Sequence, residues 1–121
     1  PNEMISCEEG ITRYVFLIGR YAIKLPNVRY GWSKFLQGLL ANMQEHTFGT
    51  AGYAALCPVV FAISGGWLVV MRRARPMTDE EWRDFNVPMF RAHNQLGELA
   101  EAKQDSFGVL DGRVVALDYG N

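Results

Sequence analysis

Residues 13–25 read RYVFLIGRYAIKL, and this stretch sets the first half of the fold. Two runs of β-branched and aromatic residues flank Gly19-Arg20, a pair that suits a tight turn, so the stretch predicts a β-hairpin. Lys24 lies inside the second, otherwise apolar run. Because a buried lysine needs a partner, Lys24 is either a paired site residue or an edge-strand side chain in solvent.

Three further elements are predicted around this hairpin. A short apolar strand over residues 4–7 precedes it. Ser33 is expected to cap a helix that runs to about Thr47. The runs 58–63 and 67–71 are separated by a Ser-Gly-Gly turn, which predicts a second hairpin.

The predicted helix has two different faces. One is an apolar stripe at helical spacing: Phe35, Leu36, Leu39, Leu40 and Met43. The other holds mostly small residues and ends in a carboxylate: Gly38, Ala41, Asn42 and Glu45. Small residues allow close approach of another element, so Glu45 is expected on a contact face; the alternative is a glutamate in solvent.

The second half of the chain predicts two helices and a third hairpin. Thr78 and Glu81 have the spacing of a capping box, so a short helix should run to about Phe85. Asn86 is expected to cap a longer helix with its apolar side chains and one histidine inward: Met89, Phe90, His93, Leu96 and Leu99. The runs 107–110 and 113–117 flank Asp111-Gly112, a strong hairpin signal.

This order of elements predicts an α+β fold. We expect an antiparallel sheet of about five strands with one packed helix, followed by two helices and a terminal β-hairpin, all in a single domain over residues 1–121. Apolar residues make up 49% of the chain and charged residues 21%, which is the ordinary range for globular proteins. The net charge of −1 gives no electrostatic reason to expect nucleic acid as a partner.

Membrane insertion and secretion are not expected. The longest apolar run, residues 67–71, is too short to span a bilayer, and residues 1–3 lack the features of a signal peptide. Cys7 and Cys57 do not form a disulfide framework, so both are interpreted as reduced, small buried hydrophobes. These features predict a cytoplasmic protein.

Four short patches, together with the order of elements, resemble the protein-kinase-like fold. Residues 1–71 are similar to its small lobe, and residues 72–121 to the hinge and the start of the large lobe. The segment YAIK, ending at Lys24, resembles the strand that carries the phosphate-binding lysine. Glu45 then corresponds to the helix glutamate that orients that lysine toward the α- and β-phosphates.

The resemblance implies further nucleotide and metal contacts. Residues 71–74 resemble the hinge that meets an adenine ring, with Met71 at the back of the nucleotide site and Arg73 beside it; the alternative for the arginines here is a solvated patch. Asp118-Tyr119-Gly120 resembles the metal-binding Asp-Phe-Gly, with Tyr in place of Phe. ATP and Mg²⁺ are the implied cofactors.

Two motifs of the family are altered. The catalytic loop would fall on residues 99–106, where either Glu101 or Asp105 would serve as base and Ser106 would occupy the metal-binding Asn position. An alignment one residue earlier would instead put Asp105 at the Asn position and Ala100 at the base position. Neither of these two alignments provides an Asp base together with that Asn. Residues 8–11 read EEGI where the family has a glycine-rich phosphate loop.

The resemblance leads to three functional hypotheses. The first is a degenerate kinase-like binding or regulatory module that retains a nucleotide site and has lost phosphotransfer, with a protein partner or a homodimer expected. The second is a minimal ATP-dependent phosphotransferase, and the third a small protein-interaction inhibitor that binds no nucleotide. Because nothing follows Asn121 in the printed sequence, peptide phosphorylation is not expected of a chain of this length.

Overall fold

The structure, a computed structural model, describes residues 5–94 and 100–120. An antiparallel five-stranded sheet has the strand order β1-β2-β3-β5-β4, and a three-stranded sheet has the order β6-β7-β8. The strands are β1 Ile5–Glu9, β2 Arg13–Ile18, β3 Tyr21–Pro26, β4 Val59–Ile63, β5 Leu68–Arg72, β6 Arg75–Pro76, β7 Phe107–Leu110 and β8 Arg113–Ala116. The helices are α1 Trp32–Gly49, α2 Asp79–Asp84 and α3 Val87–Asn94.

The predicted α+β class and the three predicted hairpins are confirmed. The β2-β3 pair turns at Gly19, whose φ of 57° favours glycine, and β7-β8 turns at Asp111 and Gly112, with φ of 52° and 81°. The terminal hairpin gains a third strand, because β6 pairs with β7 from Arg75 to Pro76. The segment between β5 and α2 therefore contributes to the second sheet.

Helix α1 packs on the five-stranded sheet through its small residues. Its buried side chains include Ala41, Asn42 and Glu45. A Cβ added to Gly38 would lie 2.2 Å from the carbonyl oxygen of Thr12, so the backbones are in close contact there. The apolar stripe largely faces solvent instead, with Leu40 62% exposed.

Three details of the predicted helices are wrong. Ser33 does not cap α1, which begins at Trp32 after Gly31 and has no side-chain cap. His93 and Met89 are exposed rather than inward. Of the other inward residues predicted for α3, Phe90 packs in an aromatic cluster, whereas residues 96 and 99 lie outside the described residues.

Both caps predicted for the shorter helices are present. The Thr78 side chain accepts a hydrogen bond from the Glu81 N–H at 3.1 Å, and the Glu81 carboxylate accepts one from the Thr78 N–H at 2.9 Å. The Asn86 side-chain oxygen accepts a hydrogen bond from the Met89 N–H at 3.0 Å. Local capping patterns therefore fixed where α2 and α3 begin.

The main core lies between the inner face of the five-stranded sheet and the three-stranded sheet. Its fully buried members are contributed by β5, by β7 and β8, and by the flanking segments: Leu56, Cys57, Val69, Met71, Phe107, Val115 and Tyr119. Cys57 is buried as expected, but Cys7 is exposed on the edge strand β1, which corrects its predicted burial. In the part of the chain that the structure describes, no helix is long and apolar enough to cross a bilayer.

Candidate functional site

A cleft of about 920 Å³ opens between the two sheets. Its sheet wall includes the apolar side chains of Val15, Ala22 and Met71. Charged side chains of both signs also line it, among them the cations Lys24 and Arg13. A concave site that combines apolar side chains with converging polar groups is a candidate small-molecule site.

Lys24 and Glu45 are in direct contact beside this cleft. Lys24 Nζ lies 2.9 Å from Glu45 Oε1 and also donates a hydrogen bond to the Leu117 carbonyl oxygen at 2.7 Å. The Lys24 side chain is 5% exposed and the Glu45 side chain is fully buried. The small-residue face of α1 makes this contact possible, because it brings the helix close to strand β3.

A second cation, Arg13, completes the pairing of Glu45. Its guanidinium donates two hydrogen bonds to the Glu45 carboxylate, at 2.8 Å and 3.0 Å, in a bidentate arrangement. The same group donates to Asp118 Oδ1 at 2.7 Å and to Asn42 Oδ1 at 3.0 Å. Arg13 therefore joins β2, α1 and the segment after β8 in one buried network.

Neutral groups hold this network in position. The Asn42 amide donates to the Lys24 and Gly66 carbonyl oxygens at 3.1 Å and 2.9 Å. The Tyr119 N–H donates to Glu45 Oε2 at 3.1 Å, and the Tyr119 hydroxyl donates to the Cys57 carbonyl oxygen at 2.6 Å. Satisfied buried networks of this kind specify one arrangement of their members.

Burial and neighbouring charges set the protonation of the network. Burial alone would raise the pKa of Glu45, but Lys24 and Arg13 together hold that pKa below its ordinary value. Burial lowers the pKa of Lys24, and Glu45 offsets this only in part because Arg13 repels the ammonium. Burial also disfavours the Arg13 cation, but Glu45 and Asp118 outweigh it and raise the pKa of Arg13.

Asp118, the residue matched to a metal ligand, is held by Arg13. Its side chain is 39% exposed and lines the cleft. Ser106, the other proposed metal ligand, is 1% exposed and does not line the cleft, although its hydroxyl has no hydrogen-bond partner among the described residues. Those residues contain no group of three His, Cys, Asp or Glu that could hold a metal ion. The two carboxylates of the network, Glu45 and Asp118, are both engaged by Arg13, so in this arrangement they do not offer free ligands to Mg²⁺.

The two proposed bases lie at the rim of the cleft. Glu101 and Asp105 are both exposed and both line it, and Glu101 is 3.8 Å from the Lys103 ammonium. Neither makes a contact with Asp118 among the hydrogen bonds and ion pairs of the described residues. The structure brings together Lys24, Glu45 and Asp118, and leaves the two candidate bases outside that group.

The segment proposed as a hinge also lines the cleft. Met71 is buried on the inner face of β5, and residues 72–74 continue along the opening. Several backbone groups here already have partners: Arg72 N–H donates to the Pro58 carbonyl oxygen at 3.1 Å, and Arg73 N–H donates to that of Arg20 at 2.7 Å. Recognition of a ring edge by these two N–H groups would require breaking internal hydrogen bonds.

Arg13 is the site residue that the sequence interpretation missed. It stands at the start of an apolar strand, two positions before Val15, which pairs with Lys24 in the β2-β3 ladder. Because alternate strand residues share a face, this register places Arg13 and Lys24 on the same side of the sheet. This alternation of side chains along the strand was the signal in the sequence that could have identified Arg13.

No protein-family model matches this chain, and no curated protein is detectably similar to it in sequence. The chemistry of the cleft is therefore what points to a function.

Proposed function

We propose that this chain is a degenerate protein-kinase-like binding module whose cleft takes a nucleotide without transferring its phosphate. The observation that carries the proposal is the buried Lys24–Glu45 ion pair, whose lysine lines a cleft of about 920 Å³. Burying a charge pair costs several kcal/mol in desolvation. Such pairs, when they line a cleft, are candidates for ligand recognition.

The arrangement around the pair supports binding more than catalysis. Phosphoryl transfer needs a positioned base and a metal that spans the phosphates. Glu101 and Asp105 are exposed at the rim, and the carboxylate of Asp118 is engaged by Arg13. The phosphotransferase alternative would therefore require one of the two bases to move inward and Asp118 to separate from Arg13.

A melting experiment tests nucleotide binding. A ligand present at a hundred times its dissociation constant stabilises the native state by about 2.7 kcal/mol. We expect saturating ATP to raise the melting temperature of the wild type, and Lys24→Met to lose that shift relative to its own ligand-free melting temperature. Lys34→Met, on α1 away from the cleft, is the matched control and should keep the shift.

Turnover measurements separate binding from phosphotransfer. The proposal expects ATP hydrolysis at the same background rate in the wild type and in Asp118→Asn. A wild-type rate well above that of Asp118→Asn would establish the phosphotransferase alternative. Absence of any melting shift with ATP, with or without Mg²⁺, would refute nucleotide binding.

A second candidate, a protein-interaction role through a homodimer, is favoured by the outer face of the five-stranded sheet. The register places apolar side chains on that face as well as on the inner one, and Phe61 is 58% exposed there. Antiparallel sheets with one solvated face normally carry polar residues on it. Light scattering after size-exclusion chromatography tests this, with Phe61→Lys expected to favour the monomer.

A further inference from the structure

We propose that the guanidinium of Arg13 takes the place of a divalent cation in this site, so that the cleft binds its nucleotide without Mg²⁺. The second part of the proposal rests on the proposed function. The first part concerns only Arg13 and the two carboxylates that it joins.

The geometry places one cationic nitrogen between two carboxylates. Arg13 Nη2 donates to Glu45 Oε2 at 3.0 Å and to Asp118 Oδ1 at 2.7 Å. The two acids come from different elements, α1 and the segment after β8. A metal ion that bridged the same two oxygens would have to occupy the space that Nη2 fills.

The charges of the network are already balanced before any metal ion is added. Glu45 and Asp118 supply two negative charges, and Arg13 and Lys24 supply two positive charges, so the ionised network is neutral. In the absence of nucleotide, a divalent ion would add two uncompensated positive charges to this largely buried network, which is strongly unfavourable. Arginine cannot give up its proton to relieve this.

Without a bound metal ion, the phosphate groups of a nucleotide would contact protein cations directly. Arg13 and Lys24 both line the cleft. Lys24 Nζ donates to Glu45 and to the Leu117 carbonyl oxygen, which leaves one of its three N–H bonds without a partner among the described residues. A phosphate oxygen is a suitable acceptor for that N–H.

Manganese binding, measured by electron paramagnetic resonance in the absence of nucleotide, tests the role of Arg13. We expect no bound Mn²⁺ in the wild type. Arg13→Met leaves Glu45 and Asp118 without their shared cation, so it should bind one Mn²⁺, and adding Asp118→Asn should abolish that binding. Arg83→Met, at an exposed arginine of α2, is the control and should behave as the wild type.

Two outcomes would overturn the role of Arg13: Mn²⁺ bound to the wild type and displaced by Asp118→Asn, or no Mn²⁺ bound to a folded Arg13→Met. If Arg13→Met loses its cooperative unfolding transition, the comparison of the wild type with Asp118→Asn alone decides. Equal absence of Mn²⁺ from these two then supports the proposal.

Calorimetric titration with ATP tests the second part. We expect the wild type to bind ATP in EDTA at least as tightly as in Mg²⁺, because the metal-free phosphates carry more negative charge. Binding that is tenfold weaker in EDTA would overturn metal independence. Absence of ATP binding in both buffers would refute the proposed function and with it the nucleotide part, whereas the manganese experiment would still decide the role of Arg13.

Discussion

Arg13 determines the electrostatics of the cleft, although it occupies the first position of a strand. A lysine–glutamate pair alone would leave Asp118 without a partner, whereas Arg13 joins Glu45 and Asp118 at 2.8 Å and 2.7 Å. Buried ion networks of this kind give little net stability, but removing one member leaves a buried charge uncompensated. The network therefore makes the site sensitive to single substitutions.

Glu45→Gln is the sharpest test at the scale of one residue. It removes the only carboxylate that contacts both Lys24 and Arg13 among the described residues, so two buried cations lose their main partner. We expect the free energy of unfolding to fall by about 3–5 kcal/mol, measured by urea denaturation. Glu80→Gln, at an exposed position of α2, should change it by less than about 0.5 kcal/mol. A loss below about 1 kcal/mol for Glu45→Gln would contradict a buried network.

Helix α1 does not follow the usual rule that the apolar stripe of a helix faces the core. Its small residues face the sheet, because only they allow the backbone contact that brings Glu45 to Lys24. Several of its larger apolar side chains remain in solvent, among them Leu40. Close approach and ion pairing therefore decided the orientation of this helix.

Gly38→Ala tests that close packing. Alanine gains about 1 kcal/mol of helix propensity over glycine, but its Cβ would lie 2.2 Å from the Thr12 carbonyl oxygen. Because overpacking costs about 1–3 kcal/mol, we expect a net loss of up to about 2 kcal/mol in the free energy of unfolding. Leu40→Ala, on the exposed face of the same helix, should have a much smaller effect. A stabilising Gly38→Ala would show that α1 is not in backbone contact with the sheet.

The capping box of α2 gives a second prediction for an element. Thr78→Ala removes the acceptor for the Glu81 N–H, which should cost about 1 kcal/mol. Hydrogen exchange at the Glu81 amide should accelerate accordingly. Ser33→Ala is the matched comparison, because α1 has no side-chain cap and should be little affected. Equal effects of the two substitutions would be inconsistent with the caps described above.

For the whole molecule, stability should fall at alkaline pH because the core buries a thiol. Burial raises the pKa of Cys57 from 9.0 to about 11. The unfolded thiol ionises first, so the unfolded state binds fewer protons between these values and stability decreases as the pH rises. Burial also raises the pKa of Tyr119, which acts in the same direction. The lowered pKa of Lys24 acts in the opposite direction and offsets part of the loss.

Cys57→Ala isolates the contribution of the thiol. A shift of two pKa units corresponds to about 3 kcal/mol of stability. The variant should therefore lose less stability than the wild type between pH 9 and pH 11. Urea denaturation across that pH range measures the difference. The exposed Cys7→Ala should follow the wild type. Parallel curves for Cys57→Ala and the wild type would contradict the burial of this thiol.

The three hairpins, the caps of α2 and α3, and the α+β class could all be predicted from the sequence. These features depend on neighbours a few residues apart: a turn at Gly19-Arg20, the capping residues Thr78 and Glu81, and the Asp111-Gly112 turn. Local sterics and local hydrogen bonds fix such elements before any distant contact forms. The pairing of Lys24 with Glu45 was also predictable, through the small-residue face of α1 and the family resemblance.

The surroundings of that pair depend on contacts between distant parts of the chain, which the sequence did not reveal. The contact between Arg13 and Asp118 joins residues 105 positions apart, and it requires both the register of β2 and the placement of the third hairpin. The exposure of Glu101 and Asp105 and the inward face of α1 likewise depend on how distant elements pack. Side-chain periodicity identifies faces within one element, but the free energy of packing and of ion pairing selects which faces meet.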